Sequence, residues 1–333
     1  MGCPSGVGPE VVVAACLSRG APPTLLVGDR GALIAAAQAL KVDARRIDRF
    51  APYDPATPLR GLQLLEPVPA LRPSERRWGR PSPAGGKAQL EYIEAGYRCA
   101  RALGLPLVTA PVSKEAIAHS GLRRASAFRG HTEWLEKMDG ASYSVMCFAS
   151  ARLVTGLVTT HLPLAQVPKA VSAEGVTRSI IELADLTARL GAPQPRIAVC
   201  SLNPHAGEGE LLGNEERKAI APGIERAAAV LGRKAKLFGP IGAETAFRKG
   251  AAGAYDAVVA MYHDQATIPM KLLDFGGGVN VTQGLTIVRT SVDHGTAYDI
   301  AGSGRAASRG LVAAIAVAER LGNEARRVPA GPW

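Results

Sequence analysis

The sequence lacks long apolar runs and paired cysteines, and each shortage excludes a class of protein. No stretch reaches the roughly 18 apolar residues that a transmembrane helix needs, and no charged segment leading into an apolar one marks a secretory signal. The five cysteines among 333 residues form no C-x-x-C pair, so neither a disulfide framework nor a cysteine-ligated metal is predicted. We therefore expect a globular protein of the reducing cytoplasm, without membrane partners.

Aromatic residues are also scarce, at 5% of the chain. The net charge is +10, from 39 basic and 29 acidic residues, yet the densest basic runs, 72–80 and 123–129, lack the regular aromatic interleaving of single-strand nucleic-acid binders. No nucleic-acid motif appears, so we expect no nucleic-acid partner. A solvated, arginine-rich surface is the expected state, and it is compatible with attraction of an anionic substrate.

Short apolar runs alternate with helical stretches along the whole chain. This alternation predicts an α/β fold with a mostly parallel sheet. Ser113 is a predicted helix N-cap, because serine side chains accept from the first free N–H groups of a helix. The main predicted strands are 25–28, 62–65, 105–110, 145–149, 153–158, 197–201, 237–240, 257–261 and 285–288, and the main predicted helices are 10–19, 30–40, 86–103, 173–190, 214–231, 243–249 and 305–321.

Four of the six histidines, His161, His205, His263 and His294, come just after an apolar, strand-like run. In open α/β sheets ligands bind beyond the carboxyl ends of the strands, so these side chains can converge on one edge. Neutral imidazoles suit Zn, Co or Ni. Because no short-spaced signature such as H-E-x-x-H is present, spacing alone leaves open both a three-histidine metal site and ordinary hydrogen-bonded histidines.

Three polar residues near the carboxyl end of the chain, Lys271, Asn280 and Arg289, are candidates for binding a phosphate or carboxylate. Lys271 and Arg289 could equally be surface charges. Arg289 favours the functional interpretation, because it follows Ile287 and Val288 inside a strand pattern, where an unpaired charge would be costly. The glycine-rich opening segment, in contrast, does not match the dinucleotide fingerprint G-x-G-x-x-G.

Taken together, these stretches closely resemble the 4-hydroxythreonine-4-phosphate dehydrogenase family of the vitamin B6 pathway, over nearly the whole chain. The motifs that carry the resemblance are Gly6-Val7-Gly8-Pro9-Glu10, Thr109-Ala110-Pro111-Val112-Ser113-Lys114, Gly130-His131-Thr132-Glu133, Thr160-His161-Leu162-Pro163-Leu164, Leu202-Asn203-Pro204-His205-Ala206-Gly207-Glu208, Tyr262-His263-Asp264-Gln265, Gly278-Val279-Asn280-Val281-Thr282, and Arg289-Thr290-Ser291-Val292-Asp293-His294-Gly295-Thr296-Ala297. One departure is Cys3, where the family usually has Asp or Glu.

The resemblance assigns roles to these positions. It implies that His161, His205 and His263 bind a divalent metal (Zn, Co or Mg) at the interface of a homodimer, with ligands from both subunits. Its implied substrate-binding residues, several of them for phosphate, are His131, Thr132, Lys271, Asn280 and Arg289. The wider fold holds the adenine end of NAD on a loop that residues 294–302 match, so the implied cofactor-binding residues, for NAD or NADP, are His294, Gly295, Thr296 and Asp299.

The resemblance also implies a fold and a reaction. The fold is that of isocitrate and isopropylmalate dehydrogenases, with two α/β/α domains, 1–126 plus 303–333 and 127–302, and an active-site cleft between them. The reaction is oxidation of 4-phosphohydroxy-L-threonine and then decarboxylation to 3-amino-2-oxopropyl phosphate. Lys114 is a candidate for proton transfer, and Asp264 for orienting an imidazole.

Other substrates and another class of reaction remain open. A related dehydrogenase could act on a phosphorylated four-carbon sugar acid such as threonate 4-phosphate, or on a cis-dihydrodiol dicarboxylate. A metal-dependent hydrolase or acyl-phosphate transferase would not need the loop at 294–302 and would not bind NAD.

Overall fold

The structure, a computed structural model, describes residues 1–43, 45–48 and 50–324. The chain forms two compact units, one of Met1–Gly140 with Arg289–Ala316 and the other of Ala141–Val288 with the chain from Val317 onward. These bounds differ from those of the predicted domains, whose division stays a prediction and whose last residues, 325–333, lie outside the described part. Among the described residues no helix is both long and apolar enough to span a membrane.

The helices and strands follow the predicted alternation. The α-helices are α1 Gly8–Cys16, α2 Arg30–Ala39, α3 Arg45–Asp48, α4 Pro83–Leu103, α5 Lys114–Ala118, α6 His131–Asp139, α7 Val167–Ala170, α8 Ala173–Arg189, α9 Ala221–Leu231, α10 Ala243–Ala251, α11 His263–Leu273 and α12 Arg309–Gly322. The strands are β1 Thr24–Val27, β2 Ala51–Pro52, β3 Leu62–Leu65, β4 Leu107–Thr109, β5 Val145–Ala149, β6 Val154–Leu157, β7 Arg196–Cys200, β8 Lys236–Ile241, β9 Ala257–Ala260, β10 Val279–Gln283 and β11 Arg289–Val292.

The first unit contains two small parallel arrangements. Strand β3 lies between β1 and β2 and pairs with both in parallel, and β11 pairs in parallel with β4, Arg289 opposite Leu107. Helices α1 and α2 contribute Val11, Val13 and Leu33, all of them buried, to the hydrophobic core of this unit. The core of the unit therefore forms between the opening helices and the short strands.

The second unit is built on six strands in the order β10-β5-β6-β9-β7-β8. The four strands from β6 to β8 run in parallel, whereas β5 is antiparallel to both of its neighbours. Strand β9 is buried at every position, as expected for a strand covered on both faces. Since β6, β9 and β7 are parallel neighbours, their carboxyl ends lie along one edge of the sheet.

The predicted strand 285–288 is wrong. The chain bends there, and the strands of this region are β10 before the bend and β11 after it. Gly284, with φ of +93°, lies so close to the Tyr143 carbonyl oxygen that an added Cβ would be 2.8 Å from it. Of this run only Leu285 is buried, while Thr286 is exposed, so the segment is a bend with one core residue rather than a buried strand.

Two proline-containing helices also differ from what the sequence suggests. Helix α11 was not predicted, and Pro269 lies inside it, which hides the helical pattern because proline normally ends a helix. The predicted helix 214–231 is present from Glu215 onward, but residues Glu216–Ile220 form a π-helical segment before α9. Pro222, which lacks an N–H group, is the second residue of α9.

Candidate metal, anion and cofactor site

The three predicted metal ligands follow β6, β7 and β9, at the edge where these strands end. His161 comes four residues after β6, His205 five residues after β7, and His263 is the first residue of α11 after β9. The rings of His161 and His263 lie 5.3 Å apart between centroids, tilted by 41°. Two imidazoles on one tetrahedral metal ion would have centroids about 5 Å apart, so this pair has the spacing of two ligands of one ion.

The loops that carry this pair are tied together by backbone and side-chain hydrogen bonds. Thr159 donates both its backbone N–H and its hydroxyl to the carbonyl oxygen of Met261, at 3.1 and 2.7 Å. Gln265 accepts from the Met261 N–H at 2.7 Å and donates to the Ser201 carbonyl at 3.0 Å. Gln265 therefore joins the end of β9 to the end of β7, a role that the sequence analysis did not assign to it.

His263 and His205 each have a carboxylate on Nδ1. The His263 Nδ1 lies 2.9 Å from Asp264 Oδ1, and the His205 Nδ1 lies 2.9 Å from Glu208 Oε2. A carboxylate on one ring nitrogen fixes the tautomer and directs the other nitrogen at a metal. Asp264 was predicted for this role, whereas Glu208 was missed, although it stands three residues after His205.

The loop that carries His205 has a strained backbone and is stabilised by a buried carboxylate. His205, Ala206 and Glu208 have φ of +51°, +54° and +43°, a region that costs non-glycine residues of order 1–3 kcal/mol each. The buried carboxylate of Glu216 accepts from the N–H groups of Leu202 and Asn203 at 2.9 and 2.8 Å. The His205 side chain itself is 78% exposed.

His205 does not join the other two histidines within the chain. Over residues 1–43, 45–48 and 50–324, no three His, Cys, Asp or Glu side chains are grouped so that they could hold a metal ion. His161 and His263 thus form a pair of neighbouring rings, and the exposed His205 follows β7 at the same edge of the sheet.

A second cluster, in the first unit, combines Arg289, His131 and Lys114. Arg289 begins β11, is only 3% exposed, and donates from Nη2 to the Thr109 hydroxyl at 2.8 Å. Burial lowers the pKa of Arg289 to about 10, and the charge of Glu133 acts against this shift. Arg289, His131 and Lys114 together give the cluster a positive character, which favours a phosphate or carboxylate.

Helix termini add to the positive character of this cluster. His131 and Thr132 are the first two residues of α6, and Lys114 begins α5, where Ser113 accepts from the Ala116 N–H as predicted. The first turn of a helix presents free N–H groups that favour anions. Lys114 lies beside this turn, since a Cβ on Gly130 would be 3.6 Å from its Nζ.

The remaining predicted substrate-binding residues, Lys271 and Asn280, belong to the second unit. Lys271 is exposed on α11, and Asn280 lies in β10. Oδ1 of Asn280 is buried and has no hydrogen-bond donor within the described part of the chain. An acceptor in this position suits a hydroxyl or amino group of a ligand.

The predicted cofactor-binding residues lie in the loop 294–304 that follows β11. His294, Gly295 and Asp299 are exposed and Thr296 is partly buried. His294 Nδ1 is 3.0 Å from the Gly295 carbonyl oxygen, and a Cβ on Gly295 would meet nothing within 4 Å. An open, polar loop of this kind fits the hydrogen bonding and stacking of an adenine ring.

The imidazole of His131 provides a pH test of the anion cluster. Burial and the charge of Arg289 lower the pKa of His131 well below its usual 6.5. Because the unfolded chain then binds a proton more readily than the folded chain, we expect stability to be full above about pH 6.5 and to fall below it, by at most about 1.4 kcal/mol per pH unit. Urea unfolding of wild type and His131→Asn between pH 5 and 7.5 measures this, and equal slopes would disprove it.

Residues 21–318 match the family model described as pyridoxal phosphate biosynthetic protein PdxA. The chain belongs to this family. A relative from Desulfosudis oleivorans, named 4-hydroxythreonine-4-phosphate dehydrogenase, is 42% identical over 327 residues, 96% of this chain and 93% of its own length.

Two further members of the family bear on the substrate and the fold. A protein of Bradyrhizobium diazoefficiens, provisionally named D-threonate 4-phosphate dehydrogenase, is 41% identical over 341 residues, 96% of this chain and 95% of its own length. The crystal structure of 4-hydroxythreonine-4-phosphate dehydrogenase from Klebsiella pneumoniae matches with a TM-score of 0.78 and 33% identity, covering 97% of this chain and 98% of that one. The predicted family and the α/β fold class are thus confirmed.

Proposed function

We propose that this protein oxidises 4-phosphohydroxy-L-threonine with NAD or NADP and then decarboxylates the product to 3-amino-2-oxopropyl phosphate. The observation that carries the proposal is the 42% identity, over 96% of the chain, to a relative named for this dehydrogenase activity. Two clusters, one in each unit, support it, because the His161–His263 pair has the spacing of metal ligands and the Arg289 cluster favours an anion.

The metal part of the proposal assigns His161, His205 and His263 to one divalent cation, Zn, Co or Mg. With both groups bound, the cation would polarise the substrate's oxygen as a Lewis acid and the nicotinamide would accept the hydride. Asp264 and Glu208 would hold the imidazoles of His263 and His205 in the ligating tautomer.

The substrate part of the proposal places the phosphate or carboxylate on Arg289, His131 and the first turn of α6. Arg289 would grip two oxygens with its planar fork, and neutral His131 can donate from one ring nitrogen without adding charge. Lys114, beside the same turn, is the proposed proton carrier. The other proposed substrate contacts are Thr132, Lys271 and Asn280.

A homodimer completes the proposal. The described part of the chain exposes eleven large apolar side chains, and seven of them lie in the segments that follow His161, His205 and His263: Leu162, Leu164, Leu211, Leu212, Ile268, Leu272 and Phe275. Exposed apolar side chains concentrated in these segments favour an interaction surface. We propose that a second copy of the chain covers it and supplies His205 to the His161–His263 pair of its neighbour.

The closest competing substrate is a phosphorylated sugar acid. The relative named for D-threonate 4-phosphate is 41% identical, nearly as similar as the first relative, so identity alone does not separate the two. A cis-dihydrodiol dicarboxylate, which has no phosphate, and a hydrolase or transferase that does not use NAD are the further alternatives.

The proposed location is the cytoplasm, where the free thiols of all five cysteines would persist.

The test is reduction of NAD or NADP, followed by absorbance, with each of the three substrates in turn. We expect the largest kcat/KM with 4-phosphohydroxy-L-threonine, loss of the signal after chelation, and recovery on adding Zn, Co or Mg. A larger kcat/KM with threonate 4-phosphate or the dihydrodiol would replace the substrate and keep the dehydrogenase. No reduction with any of them, and no binding of either nucleotide, would refute the dehydrogenase.

A further inference from the structure

The opening segment Cys3–Glu10 is attached along its length to the loop 294–304. The Val7 N–H donates to the Thr296 carbonyl at 2.9 Å, and the Cys3 Sγ lies 3.4 Å from the Tyr298 hydroxyl. Gly6 allows this close approach, because a Cβ there would be 2.7 Å from the Thr296 oxygen. The first half of the loop therefore rests on the segment that leads into α1.

The second half of the loop is held by the side chain of Glu10. Its Oε2 accepts from the Gly302 N–H and its Oε1 from the Gly304 N–H, both at 2.8 Å. Glu10 is 0% exposed, so both bonds are shielded from water. Within the described residues no Lys, Arg or His forms an ion pair with this carboxylate, whose charge is met by the two N–H groups and by the positive end of α1.

The two glycines that bind Glu10 have no room to move aside. Gly302 and Gly304 adopt φ of +80° and +70°. A Cβ on Gly302 would be 2.5 Å from the ring of Trp78, and one on Gly304 would be 2.6 Å from the Ala39 carbonyl oxygen. The carboxylate thus holds the loop where it packs closely against Trp78 and Ala39.

We propose that Glu10 is the positioning residue of the cofactor loop, and that its buried carboxylate preforms residues 294–304 for the adenine end of NAD. This inference rests on the proposed use of NAD. Glu10 is well suited to the role because it lies in the first turn of α1, whose following residues Val11 and Val13 are anchored in the core. A loop fixed to a rigid helix loses little further freedom when the cofactor binds.

The replacement Glu10→Gln tests this with little change of shape. The amide oxygen can still accept from one of the two loop N–H groups, but the amide NH₂ faces the other N–H and cannot accept from it. One of the two hydrogen bonds that hold the loop is therefore lost. If the competent loop is then populated about a tenth of the time, the Kd for NAD rises about tenfold. We expect this rise by calorimetry, together with faster amide exchange over 294–304 in the cofactor-free protein and an unchanged KM for the phosphorylated substrate.

Glu182→Gln is the matched control. Glu182 is also 0% exposed, and its Oε1 accepts from the Tyr143 hydroxyl at 2.9 Å in the other unit. This variant should alter thermal stability without changing the Kd for NAD or the exchange of 294–304. Gly304→Ala should free the loop from Glu10 in a second way, because the added Cβ displaces the loop while the carboxylate stays in place.

The outcomes separate this inference from the proposed function. Wild type that binds neither NAD nor NADP would refute the proposed function itself. Wild type that binds NAD while Glu10→Gln binds it equally tightly, with unchanged exchange over 294–304, would overturn the positioning role alone. If Glu182→Gln also lost affinity for NAD tenfold, the effect of Glu10→Gln would come from a general loss of stability and not from positioning of the loop.

Discussion

Replacing His161 by alanine is expected to reduce the NAD-linked oxidation by about a thousandfold or more. A Lewis-acid cation is worth several kcal/mol of transition-state stabilisation, and each 1.4 kcal/mol corresponds to a factor of ten in rate. His161 supplies one of two imidazoles whose centroids are 5.3 Å apart, so its loss leaves His263 as the one proposed ligand from that subunit. Metal content by elemental analysis should fall together with kcat.

The control for this experiment is His119→Ala. His119 is exposed at the end of α5, in the other unit, and its loss should change neither metal content nor rate. The account would be contradicted by a His161→Ala protein that keeps its metal and its activity. Loss of activity with full metal content would move His161 from the metal to the substrate.

Replacing Arg289 by methionine is expected to lower kcat/KM by about 10² to 10³, while leaving stability unchanged or increased. Removing one partner of a buried, hydrogen-bonded charge pair costs about 2–5 kcal/mol of binding, so the bound substrate anion would lose that much. Burial disfavours the charged guanidinium and lowers its pKa to about 10, although Glu133 and Thr109 interact with it. An apolar residue of similar volume removes that cost.

Arg189→Met is the comparison for Arg289→Met. The Arg189 side chain is 5% exposed, pairs with Asp185 at 3.3 Å and bonds the Leu321 carbonyl. Its loss should lower the free energy of unfolding and leave kcat/KM unchanged. Arg289→Met with full kcat/KM, or with a large drop in stability by urea titration, would show that Arg289 is a structural residue.

The positions of strands and helix starts were largely predictable because hydrophobic period and cap residues are local signals. Strand β3 matches its predicted range, and Ser113 caps α5 as expected. The failures have a common physical cause. Gly284 turns an apolar run into a buried bend, and Pro269 lies inside a helix, so in both cases packing overrides the local preference.

Histidines after strand-like runs pointed to the candidate site, and the family resemblance assigned the roles of its individual residues. Spacing placed His161 and His263 on one edge, and the structure brings their rings together. Spacing could not find Glu208, Gln265 or Glu10, because their roles depend on hydrogen bonds to particular backbone groups. Glu10 acts on residues about 290 positions away in the chain, and no sequence period reports such a contact.

The central claim is that the three histidines form one catalytic metal site shared between two copies of the chain. The most direct test is the activity of purified mixed dimers that contain one His161→Ala subunit and one His205→Ala subunit. Each variant alone should be inactive. If His161 and His263 of one subunit join His205 of the other, the mixed dimer keeps one intact site of two and about half of the wild-type activity. Mixed dimers as inactive as the parents would contradict the shared site.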